Sequence, residues 1–338
     1  MKRRSTTLLA CAAVGAALFV TSCSQGDEHV RFSDKPGTTS ARPSSAAPTT
    51  VRPSNNVQFP TNPRDWTTQR TLDNGTKVVW TELKGPKSGF TGRVWAWVPK
   101  QYEDEKYRDS AFPVLIALPG SNGYPTNYWF GADLRLQESV QEMADDGRGL
   151  PFILVMPVLN ASDNAYWDGS DIPGQPKMGT WMSDDVPNLA RENFRTYKDP
   201  RGWGFFGSSS GGYVGMKMVL QYPDRFGSAI AGGPDTAPTS PFWAGHDKEK
   251  RANDPNYLAT RLIEKGGPKV NISIMLGTKE SGQAATKAFV KKYDKGPISM
   301  QLHVIQNGQH SGRQYAKSLG DGPLEWISKR MLGPVAAN

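Results

Sequence analysis

Of 338 residues only Cys11 and Cys23 carry a thiol, and only four histidines are present. Both cysteines lie in the first 23 residues, so the body of the chain has no disulfide to stabilise it. It must rely on core burial, which this length allows. No Gly-Lys-Ser or Gly-Lys-Thr ending of a phosphate loop occurs, and no His, Cys and Asp residues stand at metal-ligand spacing. Neither a metal nor an organic cofactor is expected. The 40 basic residues exceed the 32 acidic ones, but they are interleaved with acids, as in Lys248-Glu249-Lys250-Arg251. No one-sided basic stripe or aromatic nucleic-acid motif is visible, so nucleic acid is excluded as the expected partner. No internal repeat is found.

The first residues are present in a telling order. Lys2, Arg3 and Arg4 precede an apolar run from Leu8 to Val20, then Thr21, Ser22 and Cys23. A basic start, a short apolar stretch and small residues before a cut describe an export signal. The run is short for a membrane span. Cys23 after these small residues resembles the lipid-modified cysteine of bacterial lipoproteins. Residues 1–22 are therefore read as a signal peptide, and Cys23 as a lipidated N-terminus on the outer face of the cell membrane. Residues 23–61 are mostly Ser, Thr, Pro, Ala, Arg and Asn. Such a composition cannot bury enough surface to offset its ordering entropy, so a disordered tether is expected.

Residues 62–338 read as one domain, and a monomer is expected. Short apolar runs at 113–118, 152–158, 202–206, 228–231, 271–276 and 301–305 have the character of strands buried on both faces. Amphipathic segments at 134–143, 183–193, 212–221, 257–265, 284–293 and 325–331 alternate with them. This alternation predicts an α/β fold with a mostly parallel, doubly wound sheet and helices on both faces. The alternating segment Arg93–Val98 suits an antiparallel edge region.

On such a fold, chemistry belongs at the carboxyl ends of the strands. Trp203-Gly204-Phe205-Phe206-Gly207-Ser208-Ser209-Ser210-Gly211-Gly212 runs from an apolar strand through a serine turn into a helix. In this nucleophile-elbow pattern, glycines two residues to either side let strand and helix approach closely. Gly207 and Gly211 fill those places, which selects Ser209 over Ser208 and Ser210. A serine hydroxyl needs a base within hydrogen-bonding reach. His29 lies in the tether, His303 inside a strand and His246 in a charged loop. His310 lies in a small-residue loop past the last strand, in the Ser-acid-His order, and is the candidate base. The orienting carboxylate should follow the next-to-last strand. Glu280 fits this place, with Asp235 as the rival. The developing oxyanion needs two amide donors. Ser210, after the nucleophile, and Ser121, in the turn Leu118-Pro119-Gly120-Ser121-Asn122-Gly123, are the candidates.

Together these pieces resemble the putative-esterase family of α/β-hydrolases, in the branch that includes the actinobacterial mycolyltransferases. The matching motifs are Val114 to Gly120 followed by Asn127-Tyr128-Trp129; residues 153–158 with Tyr166-Trp167-Asp168 beyond; Thr180-Trp181-Met182-Ser183; the elbow with Tyr222-Pro223-Asp224-Arg225-Phe226; and Gly308-Gln309-His310-Ser311. The resemblance implies Ser209 as nucleophile, Glu280 as acid, His310 as base, and Ser121 with Ser210 as oxyanion donors. Mycolyltransferases that use trehalose carry an aspartate and an arginine around the oxyanion-turn glycine, where this chain has Pro119 and Asn122. Their loss removes charge-assisted contacts to sugar hydroxyls.

The expected function is an exported, lipid-anchored serine esterase acting on an acyl-ester or glycolipid substrate. Two alternatives are an envelope acyltransferase that passes the acyl group to a sugar hydroxyl, and a non-catalytic surface binding protein. Residues 160–181 are the expected acceptor or lid region. Trp129 and Trp167 are candidate substrate contacts, able to stack on sugar faces or to pack the rim.

Overall fold

Apolar runs covered on both sides become the central strands. Val114–Leu118, Ile153–Pro157 and Ser228–Gly232 are buried at every position, as continuous apolar stretches require when helices cover both faces of a sheet. The computed structural model describes residues 29–32 and 56–337. The signal peptide, Cys23 and most of the tether lie outside the described residues.

In chain order the strands are β1 (His29–Val30), β2 (Val57–Gln58), β3 (Trp66–Thr71), β4 (Lys77–Lys84), β5 (Thr91–Trp97) and β6 (Val114–Leu118). There follow β7 (Ile153–Pro157), β8 (Thr196–Tyr197), β9 (Trp203–Ser208), β10 (Ser228–Gly232), β11 (Val270–Gly277) and β12 (Ile298–Ile305). Among the described residues the main sheet has the order β1-β3-β4-β5-β7-β6-β9-β10-β11-β12, while β2 and β8 form a separate pair. From β7 to β12 every pairing is parallel. From β1 to β7 every pairing is antiparallel.

The helices used below are α1 (Leu136–Asp145), α2 (Val186–Asn193), α3 (Ser210–Gln221), α4 (Pro255–Lys265), α5 (Gln283–Tyr293), α6 (Gly312–Ser318) and α7 (Pro323–Ser328). Their ends follow local chemistry. Before α4 the Asp254 carboxylate accepts from Asn256 N–H, Pro255 opens the first turn, and Gly266 at φ +63° stops the helix. Among the described residues no helix is long and apolar enough to cross a membrane.

This sheet order positions the site. The chain leaves β6 for β7 on one side, then crosses to β9 on the other. The loops after β6 and β9 therefore part in opposite directions, and a crevice opens between them at the strands' carboxyl ends.

Two expectations are corrected. Arg93–Val98 is antiparallel but not an edge, because β4, β3 and β1 lie outside it. Trp95 and Trp97 are consequently buried, their indole N–H groups donating to Gln69 Oε1 at 3.1 Å and Thr76 Oγ1 at 2.9 Å. The folded unit also begins before residue 62. Val57–Gln58 pairs with β8. Residues 29 and 30 pair with β3, and Phe32 is buried against Phe194 with ring centroids 5.0 Å apart. A lone aromatic in a polar segment was enough to anchor part of the predicted tether to the core.

Candidate active site

Strand β9 ends at Ser208 and α3 begins at Ser210, leaving Ser209 alone to reverse the chain. It does so at φ +53°, ψ −123°, a conformation unfavourable for a residue with a side chain. The surroundings hold it there. Ser209 N–H donates to Gly232 O at 2.7 Å, and its carbonyl accepts from Tyr213 N–H at 2.8 Å. A Cβ at Gly207 would lie 2.4 Å from the Gly211 backbone, and one at Gly211 would lie 2.3 Å from Pro119 O. Both glycines are therefore structural requirements of the turn.

Glu280 follows β11 by three residues and folds back, so that its carboxylate accepts from Gly277 N–H. Its side chain is only 1% exposed, whereas the His310 side chain is 48% exposed. Glu280 Oε2 stands 3.1 Å from His310 Nδ1. The buried Tyr315 hydroxyl lies 3.2 Å from the same ring nitrogen and hydrogen-bonds the Glu280 carboxylate. Burial alone would raise the Glu280 pKa, but the bonds from His310, Gly277 N–H and Tyr315 outweigh it and hold it below the usual value. The bond to Glu280 raises the His310 pKa above its usual value against the opposing effect of burial, with the charges of Glu280 and Asp235 adding to it. A buried carboxylate paired to an accessible imidazole is the arrangement of an oriented general base.

Ser209, Glu280 and His310 line one cavity of about 320 Å³, with Asp235, Thr236 and Ser281 among its other walls. Asp235 is thus at the site but exposed, and the Nδ1 partner is Glu280. None of His29, His246 and His303 lines this cavity. A larger groove of about 640 Å³ between Lys100, Asp145 and Pro334 contains none of the candidate residues. Ser210 is the first residue of α3, where the helix dipole favours negative charge. Ser121 reaches it across the crevice: Ser210 Oγ donates to Ser121 O at 2.8 Å. Among the described residues no group of three or more His, Cys, Asp or Glu side chains could hold a metal ion.

Residues 93–319 match the family described as "Putative esterase". The chain belongs to this family. A curated relative, an uncharacterized protein of Corynebacterium glutamicum, is 25% identical over 188 residues, 53% of this chain. The match takes in 43% of that protein's length. Among solved structures, an S-formylglutathione hydrolase of Agrobacterium tumefaciens is similar with TM-score 0.62 and 20% identity, covering 79% of this chain and 99% of that one. A ferulic acid esterase is similar with TM-score 0.61 and 17% identity, covering 76% and 98%. The fluorophosphonate-binding serine hydrolase F of Staphylococcus aureus is similar with TM-score 0.58 and 14% identity, covering 75% and 98%. At these identities the likeness is one of fold, and the fold of this putative esterase is that of the α/β-hydrolases.

The structure corrects the two aromatic candidates. Trp129 is fully buried, its indole donates to Leu118 O at 2.8 Å, and its ring packs on Phe206. It braces strand β6 below the turn that carries Ser121 and presents no face to a ligand. Trp167 is also buried, with its ring against Phe242. Residue type announces an amphipathic ring, while burial depends on which loops fold over it. Two further groups escaped the sequence reading. Tyr315 follows His310 by five residues on α6, and only the return of α6 over the sheet edge brings it to Glu280. Lys217 looks like a polar position of α3, yet it is fully buried. Its ammonium donates to Asp168 O, Gly169 O and Ser170 Oγ at 2.5–2.8 Å. That fastens the 160–181 loop to the elbow helix.

Proposed function

We propose that this protein is a serine esterase that cleaves acyl esters through an acyl-enzyme on Ser209. The observation that carries the reading is the Glu280–His310 pair at 3.1 Å, sharing one cavity with a serine on a strained elbow. In the first half-reaction Ser209 Oγ bonds to the ester carbonyl carbon and its proton passes to His310 Nε2. Glu280 holds the ring through Nδ1 and stabilises the imidazolium. The oxyanion receives the backbone N–H groups of Ser121 and Ser210. Collapse breaks the bond to the alcohol oxygen, which leaves with the proton from His310. Water then gives a proton to His310 and attacks the acyl-enzyme; collapse breaks the bond to Ser209 Oγ, which takes that proton back from His310 as the free acid leaves.

Hydrolysis is favoured over transfer to a sugar by the oxyanion turn. Pro119 offers no hydrogen-bond donor, and Asn122, whose amide donates to Asp163 O, carries no charge to strengthen a contact with a sugar hydroxyl. The leader pattern around Cys23 supports export and lipid anchoring at the outer face of the membrane, with a monomer acting on esters near that surface.

The test is a short-chain chromogenic ester and a fluorophosphonate probe, each with wild type and Ser209→Ala. Labelling of the wild type alone is expected, with turnover lowered at least about 10⁴-fold in the variant. A folded wild type that is neither labelled nor active would overturn the reading in favour of a binding protein. Acyl-sugar formation on adding trehalose or glucose would move it to an acyltransferase.

A further inference from the structure

The oxyanion turn contains a residue that should not hold its shape unaided. Ser121 sits at φ +59°, the left-handed region that residues other than glycine, asparagine and aspartate avoid. It is also exposed, so packing does not confine it. Its N–H belongs to the peptide between Gly120 and Ser121, and that peptide must point at the oxyanion for the reaction proposed above. Hydrogen bonds flank it on both sides. Before it, Gly120 N–H donates to the hydroxyl of Tyr128 at 2.5 Å. After it, Ser121 O accepts from Ser210 Oγ at 2.8 Å.

Tyr128 is more than a local acceptor. Its hydroxyl shares a second hydrogen bond, 2.5 Å long, with Ser208 Oγ, on the residue before the nucleophile. A phenol can accept one bond and take part in another, so both contacts are satisfied together. The His310 loop closes over the same oxygen, since a Cβ at Gly312 would lie only 3.1 Å from it. The backbone carrying Tyr128 is itself pinned. Asn127 Nδ2 donates to Ala117 O and Pro157 O at 2.8 Å, and Trp129 bonds Leu118 O. Burial pushes the phenol pKa above its usual value, against the opposing bonds to Ser208 and Gly120, so the hydroxyl stays protonated wherever an esterase would work.

We propose that Tyr128, with the side chain of Ser210, is a positioning residue that clamps the oxyanion turn to the nucleophile elbow and so aims Ser121 N–H. This rests on the esterase reading above. The hydrogen bonds of the two side chains go to Gly120, Ser208 and Ser121 and not to the Glu280–His310 pair, so the clamp should act on transition-state stabilisation and leave base titration alone.

The test is steady-state kinetics on a chromogenic ester with wild type, Tyr128→Phe, Ser210→Ala and the double variant, alongside fluorophosphonate labelling rates. Tyr128→Phe keeps the ring and removes only the hydroxyl. The expected result is a fall in kcat of about 10- to 100-fold, as a misaimed donor produces. KM should stay within about twofold and the acid limb of the pH profile unmoved. Ser210→Ala should behave likewise, and it reads the second bond if Tyr128→Phe fails to fold. A labelled wild type whose folded variants keep full kcat would overturn the clamp alone. So would a loss confined to KM, or a shifted acid limb. A wild type that takes no label would overturn the esterase reading, and the clamp with it.

Discussion

A hydroxyl becomes a nucleophile only when its proton has somewhere to go, and in the proposed mechanism one buried carboxylate sets the destination at Ser209. Because Glu280 stabilises the imidazolium, the His310 pKa is raised above its usual value near 6.5. A general base works in its neutral form, so activity should fall as pH drops through that raised value. The acid limb of kcat/KM is therefore expected above the position an unperturbed histidine would give. Replacing Glu280 with Gln keeps a hydrogen-bonding group beside Nδ1 but removes the charge and lets the amide hold the ring in the wrong tautomer. The limb should move to lower pH and kcat should fall by about 10⁴-fold, both read from one pH–rate profile of each protein. An unmoved limb would transfer the orienting role to Asp235. Ser209 and His310 were singled out by glycine spacing and chain order, which can be read along the sequence. Glu280 was preferred to Asp235 on strand order alone, a weaker signal because both follow strands of the same half of the sheet. The structure brings Glu280 Oε2 to 3.1 Å from the imidazole, while Asp235 is an exposed wall of the same cavity.

Elements impose their own limits on this chemistry, and the elbow is the tightest of them. A methyl group at Gly211 would meet Pro119 O at 2.3 Å and Leu118 O at 2.4 Å. Both are backbone atoms of the neighbouring strand β6 and its turn, and neither can swing aside as a side chain could. Gly211→Ala should therefore cost about 3 kcal/mol or more. Thermal unfolding should show a Tm lower by at least about 6 °C; an unchanged Tm would mean that α3 does not enter the turn so closely. The parallel strands were legible because burial on both faces demands unbroken apolar runs. The hairpin of β3 and β4 was not. Thr67, Gln69, Lys77 and Glu82 interrupt it, since one face of that part of the sheet meets solvent. A hairpin with nine of its fourteen strand positions polar is a weak signal.

At the scale of the molecule, the sheet extends toward the N-terminus further than composition foretold. Phe32 is buried among Tyr102 and Phe194, while β1 beside it covers the edge of β3. Phe32→Ala should destabilise the protein by about 3 kcal/mol in chemical denaturation. A variant as stable as wild type would mean that residues 29–32 do not dock. From composition and order alone, the chain determines an α/β alternation, a serine elbow and the Ser-Glu-His sequence of candidates, because each is written in short spacings that local backbone physics must obey. What the tertiary structure decided is non-local: the partner of His310, the burial of Trp129 and Trp167, the start of the folded unit, and the meeting of Tyr128 with Gly120 and Ser208. These follow from the order in which strands line up, which places the ends of β6, β9, β11 and β12 along one sheet edge. A side chain's neighbours across that edge are set by the energy of the whole packed sheet, and no stretch of sequence states them.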